Sequence, residues 1–174
     1  MADLNGKNIA IIATNGFEDS ELTSPKEAVE SAGATTKVVS TETGEIEGKK
    51  GATVAVAAKS AVASVDEFDA LILPGGTINA DTIRTDADAV ALVKAFKDAG
   101  KPIGVICHGG WILADADLLK GVKLTSVANV KTDLANAGAN WVDEEVVVDS
   151  GFISSRTPDD LPAFNATIVE EFAK

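Results

Sequence analysis

A single cysteine, a single histidine and no tyrosine give this chain very little side-chain chemistry to work with. One cysteine excludes an internal disulfide and suits a reducing compartment. One cysteine and one histidine are too few ligands for a zinc-type centre, so neither a metal nor another cofactor is expected. Long apolar runs are missing as well: none approaches the roughly 20 residues of a membrane helix. The opening residues 1–7 lack the basic stretch and apolar core of a signal peptide. Positive charge is also scarce, with 15 Lys and Arg against 27 Asp and Glu, a net charge of −12. That balance argues against nucleic acid or an anionic membrane as partner. A soluble, cytoplasmic protein is expected.

What is present is an ordinary globular composition, 45% hydrophobic and 24% charged over 174 residues. This is enough to bury one proper core, and no repeat, linker or low-complexity tract divides the chain. A single domain over 1–174 is expected. Residues 7–14 read as a continuously apolar strand, covered on both faces. A helix over about 20–32 and a strand over 36–40 complete a β-α-β unit. Residues 41–64 are punctuated by Gly44, Gly48 and Gly51 and read as small strands at a sheet edge. A third buried strand ends in Pro74-Gly75-Gly76, and 86–99 is the clearest helix, stopped by Gly100 with Pro102 beyond. Further on, the pattern gives a strand over 123–127, a short helix over 130–137 and a strand pair around Ser150-Gly151. A last helix starts at Thr157 with Pro158 in its first position. Alternating strands and helices predict an α/β sandwich around a mostly parallel sheet.

The stretch from Lys101 to Leu113 organises the rest. Residues 103–106 are a short β-branched run after a Gly-Lys-Pro break, and Gly109 and Gly110 allow an abrupt strand-to-helix turn at Cys107. A nucleophile elbow has this geometry, although Val105 stands where the hydrolase motif has its first glycine. A thiol at a helix start, beside a potential cation, is expected to fall well below the ~8.5 of a free cysteine. The plainer reading of a lone cysteine is a small buried hydrophobe. Turn, histidine and glycines together favour a nucleophile.

In open α/β sheets ligands bind beyond the carboxyl ends of the strands. Three such ends carry Glu18, Gly75-Gly76 and Cys107-His108. Glu18 suits either the positive end of the following helix or a protonated carboxyl donating to a thiolate. Gly76 is a turn residue or, with His108, a source of oxyanion-hole amides. His108 is a partner of the thiol or simply a helix-start residue. Trp111 is core packing or a pocket wall.

Four ordered segments carry a resemblance: residues 16–22 (GFEDSEL), 73–76 (LPGG), 100–102 with 106–109 (GKP and ICHG), and 155–161 (SRTPDDL). On these the chain resembles the PfpI family, the intracellular protease I and general stress protein group of the class I glutamine amidotransferase-like superfamily. The resemblance covers nearly the whole chain. It implies a flavodoxin-like three-layer sandwich, a homodimer or larger assembly, and Cys107 as nucleophile. It further implies that Glu18 hydrogen-bonds the cysteine, that Gly76 and His108 supply oxyanion-hole amides, and that Asp81 is delivered to the site across a subunit interface. Family members are described as cysteine peptidases, as deglycating or glyoxalase-like hydrolases, and as oxidative-stress proteins. A hydrolase of small carbonyl or glycated substrates is therefore expected first, a peptidase or a redox sensor without turnover next. A glutamine amidotransferase is disfavoured, because no histidine follows His108. Gly110-Trp111 departs from the proline-containing continuation usual in the family.

Overall fold

A computed structural model describes residues 2–174. The chain begins with β1 (Asn8–Ile12), α1 (Asp19–Ser31) and β2 (Thr35–Ser40), the β-α-β unit expected from the pattern. A hairpin of β3 (Gly44–Glu47) and β4 (Thr53–Val56) follows, then the two-residue β5 (Ala58–Lys59). Next come β6 (Ala70–Leu73), α2 (Thr77–Ile83) and α3 (Ala87–Asp98). The elbow strand β7 (Ile103–Ile106) passes through a 3-10 turn, Cys107–Gly110, into α4 (Trp111–Asp115). The chain continues with β8 (Lys123–Leu124), α5 (Lys131–Asn136) and β9 (Asn140–Trp141). It closes with β10 (Val147–Asp149), β11 (Phe152–Ser155) and α6 (Leu161–Phe172).

Seven strands form one sheet in the order β10-β11-β7-β6-β1-β2-β5. Every pairing in it is parallel except that of β10 with β11. Successive side chains of a strand point to opposite faces, and both faces here are covered. Ile9 and Ile11 pack with Leu22 and Val29 of α1 and Phe164, Ile168 and Phe172 of α6. Ala10 and Ile12 face the other way, into a core with Val93 and Phe96 of α3, Leu113 of α4 and Leu134 of α5. Two apolar cores, one on each face, explain why β1 reads as an uninterrupted hydrophobic run. This is the flavodoxin-like three-layer sandwich that the resemblance implies.

The segment after the diglycine, to which the pattern assigns no element, is the seven-residue α2, too short to show a helical stripe. Three local readings are corrected. The strand expected over 123–127 stops at Leu124, because the Thr125 amide turns to donate to Ser154 Oγ at 3.1 Å. Among the small strands of 41–64, only β5 joins the main sheet; β3 and β4 pair with each other. The last helix also opens as a 3-10 turn, Pro158–Asp160, before α6 proper.

One contact seats the elbow. A Cβ at Gly109 would stand 2.7 Å from the Leu73 carbonyl oxygen and 2.9 Å from that of Pro74, both backbone atoms. At Gly110 the nearest atom would be the Leu134 Cδ1, at 3.2 Å, which a side-chain rotation relieves. Gly109→Ala should therefore destabilise the fold by about 2–3 kcal/mol through overpacking against β6, and Gly110→Ala by well under that. Urea denaturation of both variants checks the ranking, and equal losses would mean that the elbow is not pressed onto β6.

Candidate active site

The abrupt turn at the end of β7 puts Cys107 in the left-handed region, φ 61°. For a residue with a Cβ that conformation costs about 1–2 kcal/mol, and the buried strand before it and the glycines after it hold it in place. The side chain is half-buried. Two backbone amides, those of His108 and Gly76, lie toward the sulfur and favour its thiolate form. Gly76 has φ 89°, and a Cβ there would lie 2.5 Å from the Glu18 nitrogen and the Gly16 oxygen, so only glycine brings this amide so close. Asn79, on α2, holds the diglycine from behind: its Nδ2 donates to the Gly75 oxygen at 3.0 Å and its Oδ1 accepts from the Thr14 amide at 2.7 Å.

The carboxyl group beside the thiol is not that of Glu18. It belongs to Glu21, which is fully buried and lies near enough to Cys107 for the two acids to interact. Glu21 Oε1 accepts the Gly75 amide at 3.0 Å, and its Oε2 has no hydrogen-bond partner. The reason lies in helix geometry. Glu18 is the N-cap of α1, and its side chain turns away to ion-pair with Lys49 and Lys50 of the β3–β4 turn. Glu21, one turn further on, projects from the inner face of α1. The buried stripe Glu21, Pro25, Val29 repeats every four residues, so a carboxylate occupies an apolar position of the helix. That misfit is legible in the sequence, and it is the signal that points to Glu21.

The expected fall in thiol pKa is also corrected. Burial, then the neighbouring Glu21 charge, push the Cys107 thiol up to about 12, outweighing the two amides that favour the thiolate. Burial, and then Glu18, push the Glu21 carboxyl up to about 7. Thiol and carboxyl are close enough to titrate as a pair. Near neutral pH the sulfur keeps its proton while Glu21 is divided between its two forms.

His108 does face the thiol. Its Nδ1 lies 3.3 Å from Sγ and its Nε2 3.3 Å from Thr77 Oγ1. Burial, and then the charge of Lys49, hold its pKa below the ordinary value, which keeps the imidazole neutral. Thr77, rather than Asp81, is therefore the Nε2 partner within one protomer. Asp81 is exposed one helical turn along α2 from Thr77. Trp111 serves as both packing and wall: it lies against the α3–α4 core and turns the edge of its ring toward His108, centroids 5.4 Å apart. Arg84 covers the Trp111 ring at 5.1 Å, and Trp111 Nε1 donates to Asp133 at 2.9 Å. Glu21, Thr77 and Lys49 are the site residues that the sequence reading missed.

Among the described residues, no helix is long and apolar enough to cross a membrane. The model of the DJ-1/PfpI family matches residues 7–171. An uncharacterized protein of Staphylococcus saprophyticus is 50% identical over 168 residues, covering 95% of this chain and 97% of that protein. In crystal structures, the ThiJ/PfpI domain protein of Brachyspira murdochii superposes with a TM-score of 0.89 at 28% identity, covering 98% of this chain and 97% of that one. DJ-1beta of Drosophila melanogaster gives 0.89 at 26% identity, with 96% and 90% covered. A two-domain protein from Anabaena variabilis, with DJ-1/ThiJ/PfpI-like and ferritin-like domains, gives 0.91 at 32% identity over 94% of this chain and 49% of that chain. Members of the matched family are typically dimeric. Matched by the family model over residues 7–171 and by a relative 50% identical over nearly its whole length, the chain belongs to the DJ-1/PfpI family.

Proposed function

We propose that the chain is a cofactor-independent cysteine hydrolase of reactive carbonyl compounds, dicarbonyls or glycated groups, in a cytoplasmic stress response. A peptide bond is the alternative substrate for the same nucleophile. The observation that carries this reading is the ring of groups around one strained cysteine: a buried carboxyl near pKa 7, a neutral imidazole and two converging amides. A carboxyl poised near the working pH is an effective base. As sulfur attacks the carbonyl carbon, Glu21 accepts the thiol proton and the new S–C bond replaces the C=O π bond. The electron pair moves to oxygen, and the amides of Gly76 and His108 are the available donors to it.

With a dicarbonyl, Glu21 returns the proton to that oxygen and a hemithioacetal results. Neutral His108 is placed to carry the proton from the sulfur-bearing carbon, so that the adjacent carbonyl is reduced as the first becomes a thioester. Water then hydrolyses the thioester and frees the thiol. The sum is dicarbonyl plus water to an α-hydroxy acid, so no outside oxidant is needed. The protonated state of the thiol at neutral pH favours this base-assisted route over peroxide sensing, which works through a standing thiolate.

Glu21 should trade stability for activity. Its folded pKa of about 7 lies above the value near 4.5 of an unstrained glutamate, so the folded state holds the extra proton between those two values. Stability from this group is full below about pH 4.5, falls as pH rises through about 7, and stays lost above it. Glu21→Gln should therefore be more stable than the parent at pH 8, by up to about 3 kcal/mol, and flatter in its pH dependence between 4.5 and 7. Its methylglyoxal turnover should fall at least a hundredfold, the lower range of a lost general base. Denaturation across pH and steady-state kinetics test both halves, and a fully active, less stable variant would remove Glu21 from the mechanism.

The resemblance also supports a site completed across a dimer. Asp81 follows Thr77 by one turn and lies on the same face of α2, exposed. In an isologous dimer each protomer lends the same patch to the other. Cys107→Ala and Asp81→Ala homodimers should each be inactive or impaired, whereas mixed dimers contain one complete site. The variants are mixed under conditions where mass spectrometry shows subunit exchange, and turnover is assayed. Exchange without recovered activity would falsify the shared site.

A further inference from the structure

The turn between β3 and β4 reaches over the carboxyl ends of the strands and is strapped down there. Asp19 Oδ1 accepts the Lys50 amide at 3.0 Å and its Oδ2 accepts the Ala52 amide at 2.9 Å. The Lys49 amide donates to the Phe17 carbonyl at 3.0 Å, and the Gly16 amide to that of Glu47 at 2.8 Å. A flexible hairpin tip is thereby fixed to the loop that precedes α1. The Glu18 amide, in turn, donates to the Gly75 carbonyl at 3.2 Å, so the same loop rests on the diglycine turn beside Cys107.

Two ammonium groups converge on one carboxylate at this corner. Lys49 and Lys50 both ion-pair with Glu18, whose side chain is 8% exposed. With Asp19 on the same turn, two carboxylates match the two ammonium groups of this corner, in a protein whose net charge is −12. The Lys49 side chain is 48% exposed, so one side of its ammonium is held by Glu18 and the other is open. Its charge reaches into the site: it favours the ionised forms of Glu21 and Cys107, against the stronger opposing charge of Glu18 at Glu21, and disfavours protonation of His108. Beyond helping to keep His108 neutral, this lysine takes no part in the carbonyl chemistry above.

We propose that Lys49, positioned by Glu18, is an anion subsite at the mouth of the cysteine site, and that it selects carbonyl substrates bearing a carboxylate or similar anionic group a few atoms from the reacting carbon. The preference for a hydrolysable substrate rests on the function proposed above; the subsite itself does not. Held by one partner and open on its other side, Lys49 is a point charge that draws an anion without forcing a fixed geometry. Glu18 keeps the long side chain from wandering, and so acts as its positioning residue.

Iodoacetate and iodoacetamide are alkylating agents of the same reaction type that differ in one negative charge, and their rate ratio at Cys107 reads the local charge without any turnover. Relative to a free thiol, the wild-type protein should favour iodoacetate. Lys49→Gln should lower the ratio by about five- to tenfold, as expected for losing one neighbouring unit charge in a partly solvated site. Lys49→Arg should retain it, and Lys120→Gln, which removes an exposed lysine paired with Asp117, should leave it unchanged. In turnover, an α-oxoaldehyde ending in a carboxylate (dioxopentanoate) should have a lower KM than methylglyoxal, and Lys49→Gln should raise that KM with little effect on methylglyoxal. A ratio that is unchanged in Lys49→Gln, or that falls equally in Lys120→Gln, overturns the subsite. Absence of turnover with either substrate, alongside the predicted alkylation ratios, overturns the hydrolase reading and upholds the subsite.

Discussion

The structure depends on one close pair of acids, the thiol of Cys107 and the carboxyl of Glu21, kept together where water cannot reach the carboxyl. Burying an ionisable group next to another raises the pKa of both, because neither charge is solvated and the two repel. An isolated carboxylate in that position would simply be an error in the core of α1. Here it has the Gly75 amide on one oxygen and the Cys107 thiol as its neighbour. The whole surrounding backbone answers to that geometry. Gly75 must be glycine because a Cβ would lie 2.4 Å from Glu21 Oε1 and 2.8 Å from Cys107 Cβ, and Gly76 because its amide must reach the sulfur.

The same pair explains how a fold with one histidine can carry cysteine chemistry. In a thiol–imidazole pair the histidine takes the proton, and a third group orients it. In this protein burial and Lys49 keep His108 neutral, and Thr77 holds its far nitrogen. Under the proposed function the base is then the carboxyl whose pKa is brought to about 7 by burial. Two groups whose environments set their pKa values apart divide acid and base duties between them. On this reading the imidazole is left free to move a proton at carbon.

The fold was legible in the sequence because its signals are local. Residues 8–12 are apolar without interruption since both faces of β1 are covered, and α3 carries its stripe and its stop within a dozen residues. Cys107, with its glycines, announces its own turn. The pairing around the cysteine was less legible because it depends on which way a side chain leaves a helix. Glu18 and Glu21 lie in one short acidic segment, GFEDSEL, and at that distance along the chain they look equivalent. The end of α1 separates them: the N-cap residue turns toward Lys49 and Lys50, and the residue one turn later points into the core. The direction of the thiol pKa was missed for the same reason. A helix start and a histidine lower it, but the dominant influences, burial and a second acid, come from an element more than 80 residues away in sequence.

Placing charge at this site follows a consistent economy of position. The protein is strongly acidic overall, so an anionic substrate approaching at random meets repulsion. A fixed ammonium group offsets this only close by, within roughly a Debye length of 8–10 Å in physiological salt. Lys49 and Lys50 are brought there by a hairpin that adds no strand to the main sheet, and whose tip is tied to Asp19 and Phe17. The hairpin is anchored through Ile46 in one core, but its exposed lysine side chains can change without disturbing either core, whereas Gly75, Gly76 and Gly109 cannot change without steric cost. Under the proposed function, the chemistry is held by the parallel sheet and its tight turns, and the choice among carbonyl substrates by side chains at a hairpin tip that adds no strand to that sheet.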